Sequence, residues 1–318
     1  MTPLIDHRPV ARASRTARLR LAALSAVAAA TALAAVAAPP GRARLLKPVP
    51  HECRPAVSPC TRVANAFIRA DVNPLGAFSL GTTGGDPSTP LDDDKGLLYG
   101  FVPGGASNTG SSYVTVRIQG PAGIDDFYAR SAADDVVEQV EDARTVRTVW
   151  RRRAPYRVTV THTLQAVRNP YSGRDDLLDM AWDIRNDDAV DLEIGLRSLL
   201  DVQIAGNDGA PYFIPGVGTQ TLERRFSGDQ VPPFWIAFEA RDFDPSRLRS
   251  FGLLRGDEVT TPDELVLANW RRIQEQPFTY DVDPTRVITG DSAVALYWSP
   301  RPVPARAALR LNARYVEG

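Results

Sequence analysis

"RVTVTHTLQAV", Arg157 to Val167, alternates without a break. Val158, Val160, His162, Leu164 and Ala166 fall on one side; Thr159, Thr161, Thr163 and Gln165 fall on the other. Period two, with one apolar and one polar face, predicts a half-buried β-strand. The next run, "LLDMAWDIRN" (177–186), repeats it, with Leu178, Met180, Trp182 and Ile184 inward and Asp179, Asp183 and Arg185 outward. "VDLEIGLRSLLDVQ" (190–203) turns Val190, Leu192, Ile194, Leu196, Leu200 and Val202 inward, and "ALRLNARY" (308–315) does so with Leu309, Leu311, Ala313 and Tyr315.

Roughly a dozen such runs follow one another, separated by clusters of Gly, Pro, Asn and Asp, and no long 3.6-residue period competes with them. "DDVVEQVEDA" (134–143) fits either a strand or a short helix, and Asp244-Pro245 can cap one helical turn. Short strands without crossover helices predict an all-β fold: a large antiparallel β-sandwich of the supersandwich kind, or two packed sandwiches, with few short helices. No linker divides residues 63–318, so they are expected to form one β-sandwich domain.

Asn186-Asp187-Asp188 joins two of these strands. Ile184 and Val190 share parity, which predicts a hairpin between 176–185 and 189–203. Its outer face would carry Asp179, Asp183, Arg185, Asp191, Glu193, Arg197 and Asp201. That face leads into a corner, "DVQIAGNDGAPYFIPGVG" (201–218). Asn, Asp and Gly favour turns, because they tolerate left-handed backbone and bond locally. The corner is therefore expected to be chiefly architectural, braced by Asp201 and Asn207 bonding to backbone amides, with Asp208 close to Asp201 and the long loop 81–112 able to cover them. A ligand role for Asp201, Arg197, Asn207 and Asp208 is the second reading. A cation needs many oxygens converging on one point. Asp201 and Asp208, with Asp92-Asp93-Asp94 upstream, are the candidates for Ca²⁺; otherwise no cofactor is expected.

"GLRSLLDVQIAGNDGAPYFIPGVG" (195–218), "ELVLANW" (264–270), "DSAVALYWSP" (291–300) and "TTGGDPSTPLDDDKGLLYG" (82–100) resemble segments of a family of exported bacterial β-rich proteins. The similarity covers most of residues 66–300, and the family has no established activity. The end of the chain departs from it: "PARAALRLNARYVEG" lacks the Pro-Gly-Glu turn and the Tyr-Gly-Leu-Gly close of the family. More remotely, the arrangement is similar to the galactose-mutarotase-like supersandwich, which implies either a sugar-processing enzyme or a non-catalytic glycan-binding part.

The residues themselves argue against several chemistries. His162 is the only histidine in the domain, and it lies on an apolar strand face, as a core histidine bonded to backbone would. The paired histidines of mutarotases are absent, and a Ser-His-Asp triad would have to use His162. Carboxylates are the abundant reactive groups, and two of them could serve glycoside cleavage. Trp235, Trp270 and Trp298, with Phe234 and Tyr297, are the aromatic candidates for stacking on a sugar. The pair after Pro232-Pro233, Phe234 and Trp235, has the best prospect of exposure. Arg255-Gly256-Asp257 reads as a turn.

The start of the chain concerns destination. Arg8, Arg12, Arg15, Arg18 and Arg20 precede the charge-free run Leu21–Ala38, and Ala35-Val36-Ala37 fits a small-residue cleavage site. Residues 1–37 thus read as a secretory signal peptide, and membrane association is expected only if it stays uncleaved. Residues 38–62 are a Pro- and Arg-rich linker holding Cys53 and Cys60, which are expected to form a disulfide in an oxidising, extracytoplasmic compartment. With a net charge of −1, no global field favours nucleic acid. Three functions stay open: a non-catalytic binding or surface-associated module whose partner is a glycan or other cell-surface component, a carbohydrate-active enzyme using paired carboxylates, or a structural secreted protein.

Overall fold

The computed structural model describes residues 60–84, 93–128, 136–142, 144–240, 244 and 247–317. The signal segment, most of the linker with Cys53, Asp92 and the 245–246 part of the Asp244-Pro245 turn lie outside them.

The described chain is built of antiparallel strands, numbered in chain order. One sheet has the spatial order β12 (Gly218–Gln220), β11 (Tyr212–Ile214), β14 (Phe234–Phe238), β15 (Arg249–Leu253), β18 (Ala308–Glu317), β9 (Leu177–Asn186), β8 (Val158–Val167), β7 (Thr145–Arg152), β6 (Val136–Asp142). A second has the order β13 (Arg224–Ser227), β16 (Glu264–Asn269), β17 (Ser292–Val303), β10 (Leu192–Asp201), β4 (Tyr113–Gly120), β5 (Gly123–Tyr128). A small sheet, β1 (Thr61–Ala64), β2 (Ile68–Val72) and β3 (Phe78–Thr82), completes the set. Within the ambiguous 134–143 run, Val136–Asp142 is strand β6, and β1 begins inside the stretch read as linker. The α-helix among the described residues is one turn, α1 (Trp270–Ile273).

Period two has its expected cause. The even apolar residues of β8 and β9 enter one core with Leu192, Ile194, Leu196 and Leu200 of β10 and Leu311, Ala313 and Tyr315 of β18. Trp182 of one sheet meets Trp298 of the other at 5.4 Å between ring centroids. Burial of such apolar faces is the main stabilising contribution. On the outer face of β9, Asp179 and Asp183 pair with Arg314 and Arg310 at 3.0 and 2.8 Å.

The expected 176–203 hairpin does not form. β9 pairs with β8 and β18, whereas β10 pairs with β4 and β17. The chain crosses from one sheet to the other at Asn186, which is fully buried. Its Nδ2 donates to the carbonyls of Val190, Val303 and Pro304, and its Oδ1 accepts from Asp188 N. Shared parity of Ile184 and Leu192 reflects two strands facing one core from opposite sides, not two strands side by side. Val190, which was expected inward, is exposed at this crossing.

The odd face of β10 is the second departure. Leu199 packs there with Tyr113, Val266, Ile273, Phe278 and Tyr297 in a separate apolar cluster. Residues 270–280 thus cover the back of the six-stranded sheet, and β10 is buried on both faces. Arg197 and Asp201 are consequently buried, while Asp191 and Glu193 at the other end of the same face are exposed.

Candidate functional site: a three-carboxylate cleft

β10 ends at Asp201, and the chain then turns at 204–207, where Ile204 and Asn207 exchange both backbone bonds at 3.1 and 2.9 Å. Ala205 takes the left-handed conformation there, φ 53°. Asn207 braces the turn as expected: its Oδ1 accepts from Gly209 N at 3.0 Å and its Nδ2 donates to the Glu239 carbonyl at 2.8 Å. Asp208 follows, and its carbonyl accepts from Ser292 N at 2.7 Å. This locks the corner to the start of β17, where Asp291 stands. Asp201, Asp208 and Asp291 each place a carboxylate oxygen within 4.8 Å of the others.

Tyr99 and Ser112, in the described part of the loop before β4, border the group. Tyr99 N donates to the Asp201 carbonyl at 2.8 Å, and Asp201 N donates to Ser112 Oγ at 3.0 Å. On the far side stands α1. Trp270 N donates to the Asp291 carbonyl at 2.8 Å, and its indole Nε1 donates to the Ser111 carbonyl at 3.1 Å. The result is an open cleft of about 370 Å³ whose lining includes the three acids, the aromatic rings of Tyr99 and Trp270, Ser111 and Arg271.

The electrostatics are unbalanced. Arg271 Nε lies 3.0 Å from Asp291 Oδ2, but the arginine side chain is 80% exposed. Neither Asp201 nor Asp208 has an ion pair of its own among the described residues. Burial pushes the Asp201 carboxyl well up, with the charges of Asp291 and Asp208 adding and the Ser111 hydroxyl tempering the effect. Asp208 is pushed up to about 6 by burial and by Asp291, against Arg271. Asp291 is raised by burial and held down in part by Arg271. Asp201 Oδ1 and Asp208 Oδ1 are buried with no hydrogen-bond partner. The expectation that the Asp201 side chain braces the corner by bonding backbone amides therefore fails: ionised, these carboxylates cost the fold stability.

Arg197 is not a cleft residue. It is fully buried beneath it, and its Nη1 donates to the carbonyls of Ile273 and Gln276 at 3.3 and 2.8 Å. Its Nη2 reaches Tyr113 Oη and Thr115 Oγ1, each at 3.4 Å. It therefore holds the turn that carries Trp270 and Arg271. Trp235 is also displaced from its expected role. It is fully buried in β14, against Tyr212 and Tyr315 at 5.7 and 5.4 Å. Pro232-Pro233 precedes a strand, and the strand's alternation turns Trp235 inward. Of the aromatic candidates, Trp270 reaches the cleft. Tyr99 and Asp291 were missed; the signal for Asp291 was an acid between a Thr-Gly turn and a strong strand, "TGDSAVALYW" (289–298).

No family model matches the chain, and no curated protein matches it. Solved structures do resemble its course. A candidate aldose 1-epimerase from Escherichia coli K12 is 9% identical over 82% of this chain and 99% of its own, with a TM-score of 0.49. A galactose mutarotase-like protein from Lactobacillus casei ATCC 334 is 11% identical over 81% and 100%, TM-score 0.44. The GalM/aldose epimerase homologue from C. elegans is 8% identical over 82% and 99%, TM-score 0.45. At such identities the likeness concerns the path of the chain and nothing chemical.

Proposed function

We propose that this protein is an exported, non-catalytic carbohydrate-binding module whose sugar site is the Asp201–Asp208–Asp291 cleft. The observation that carries the reading is the convergence of three buried-edge carboxylates with two aromatic rings in one open cleft. Carboxylate oxygens accept from vicinal hydroxyls, and charge-assisted bonds of this kind are the stronger ones. The rings of Trp270 and Tyr99 offer apolar surface to the C–H face of a sugar. A volume of about 370 Å³ is at the small end of ligand pockets and suits a mono- or disaccharide. Binding is favoured over cleavage by placement. Glycosidase carboxyls stand about 5 Å or more apart on either side of the scissile bond, whereas one oxygen from each of these three lies within 4.8 Å of the others. Export is supported by the arginine-rich start and apolar run of residues 1–38.

Saturation-transfer NMR with a panel of mono- and oligosaccharides tests this. We expect transfer to the protons of one sugar face, lost in Trp270→Ala and weakened in Tyr99→Ala, with both variants melting within a few degrees of the wild type. No transfer to any sugar, or transfer untouched by Trp270→Ala, removes the reading.

A further inference from the structure

We propose that Asp201, Asp208 and Asp291 hold a hard divalent cation of the Ca²⁺ class at the floor of the cleft. The ion itself stands on the geometry of the chain; its role in presenting coordination positions to a ligand rests on the carbohydrate reading above.

Three features point to an ion. The first is spacing. Ca²⁺ binds oxygen at about 2.3–2.6 Å, so two of its ligands can be no further apart than about 5 Å. One oxygen from each of the three acids falls within 4.8 Å of the others, so a point central to all three lies at or just beyond the Ca²⁺–oxygen distance, within the adjustment of a side-chain rotation.

The second is unmet bonding in side chains that are more than nine-tenths buried. Asp201 is 2% exposed, and its Oδ1 has no partner. Ser111 is not one of the acids, is 6% exposed, and lines the same cleft; its hydroxyl stands near the Asp201 carboxylate, but its Oγ makes no hydrogen bond of good geometry. Native proteins rarely leave such atoms unmet, and an ionised carboxylate without a counter-charge is the costliest case. A cation satisfies Asp201, Asp208 and the Ser111 hydroxyl oxygen together, where the exposed Arg271 meets only Asp291.

The third is the chemistry of the donor set. Every donor is an oxygen, and histidine and cysteine are absent from the lining residues. Carboxylate and hydroxyl oxygens select hard ions of the Ca²⁺ and Mg²⁺ type over zinc or copper. The frame is also fixed, because the Asp208 carbonyl is tied to Ser292 N and the Asp201 backbone to Tyr99 and Ser112. Ca²⁺ takes six to eight oxygens. Those the protein does not provide would come from water or from the hydroxyls of a sugar lying on Trp270.

Terbium, a Ca²⁺ substitute, is the probe, added to the full secreted chain without any sugar and excited through tryptophan; Trp270 lines the same cleft. We expect saturable emission with one ion per chain, displaced by CaCl₂. Affinity should fall at least tenfold in Asp208→Asn and in Asp291→Asn, and less in Ser111→Ala. In EDTA, Asp208→Asn should melt no lower than the wild type, which separates lost binding from lost folding. Emission that is absent, that survives both Asn substitutions, or that CaCl₂ does not displace overturns the site. The two readings fail separately. Saturation transfer to a sugar that is unchanged in EDTA, with no terbium site, removes the ion and keeps the sugar. Terbium binding with no sugar transfer does the reverse.

Discussion

Gly209→Ala is expected to lower the melting temperature by about 6–12 °C, while Gly206→Ala in the same turn changes it by at most a few degrees. A Cβ on Gly209 would lie 2.1 Å from Gly290 N and 3.0 Å from Gly290 Cα. Both are backbone atoms, so no rotamer change relieves the clash. The corner would have to lift from the start of β17, and the 2.7 Å bond from Ser292 N to the Asp208 carbonyl would go with it. Overpacking costs about 1–3 kcal/mol and a lost hydrogen bond about 1 kcal/mol. A total near 3 kcal/mol corresponds to roughly 2–4 °C per kcal/mol in a domain of this size. Gly206 is the internal control, since a Cβ there meets no atom within 4 Å. Thermal melts of the two variants side by side decide the matter; equal melting temperatures would mean that the corner is not pressed against β17. Gly209→Ala should also separate Asp208 from Asp291 and weaken any ligand that needs both.

The second large effect is a loss of stability in acid that originates far from the cleft. His162 was expected to bond to backbone. Its ring instead lies between two indoles, stacked on Trp150 and Trp182 with centroids at 5.9 and 5.6 Å, and Phe78 stands 5.8 Å away. Its Nε2 has no hydrogen-bond partner. Burial pushes its pKa down from 6.5 to about 3. In the unfolded chain the imidazole takes up a proton near pH 6.5, so between pH 6.5 and 3 the unfolded state binds more protons than the folded one. The stability linked to His162 is thus complete above pH 6.5 and declines as pH falls, by up to about 1.4 kcal/mol per pH unit. The three cleft acids, with raised pKa values, act in the opposite sense: protonation in acid relieves them. Comparing the wild type with His162→Phe cancels that contribution. Urea unfolding at pH 7 and pH 4.5 should show the wild type losing about 2–3 kcal/mol more than His162→Phe. Parallel losses in the two proteins would show that His162 titrates normally in the fold.

What could be read in advance divides along a physical line. Faces were legible, because alternation is local. Leu164, Met180, Trp182, Leu196 and Tyr315 are all buried on the side their parity indicated. Partners were not, because pairing is settled by contacts more than a hundred residues apart, as between β9 and β18. β10 shows how the two mix. Arg197 and Asp201 occupy the polar side of the alternation, which normally faces water. Yet Leu199 and Leu200 are adjacent, and a strand with apolar neighbours on both parities is one buried on both faces. That break in alternation was the available sign that Arg197 is a buried strut and Asp201 a buried acid.

The site divides similarly. The turn chemistry of Asn207 and the closeness of Asp201 to Asp208 follow from a short stretch of chain, and the structure has both. Asp291 joins them only because β17 runs antiparallel to β10 with Ala293 opposite Asp201. Tyr99 joins them because Leu98 bridges to Val202. Both are products of the sheet rather than of sequence neighbourhood.

The central claim is that the three acids and Trp270 form one ligand site, and a crystal structure of the chain grown with CaCl₂ and a sugar selected by saturation transfer tests it most directly. The expected result is a sugar ring against Trp270, its hydroxyls directed into the Asp201–Asp208–Asp291 cluster, on the ion where one is bound and on the carboxylate oxygens where none is. A sugar bound elsewhere, with Arg271 folded inward to neutralise Asp201 and Asp208, would contradict it.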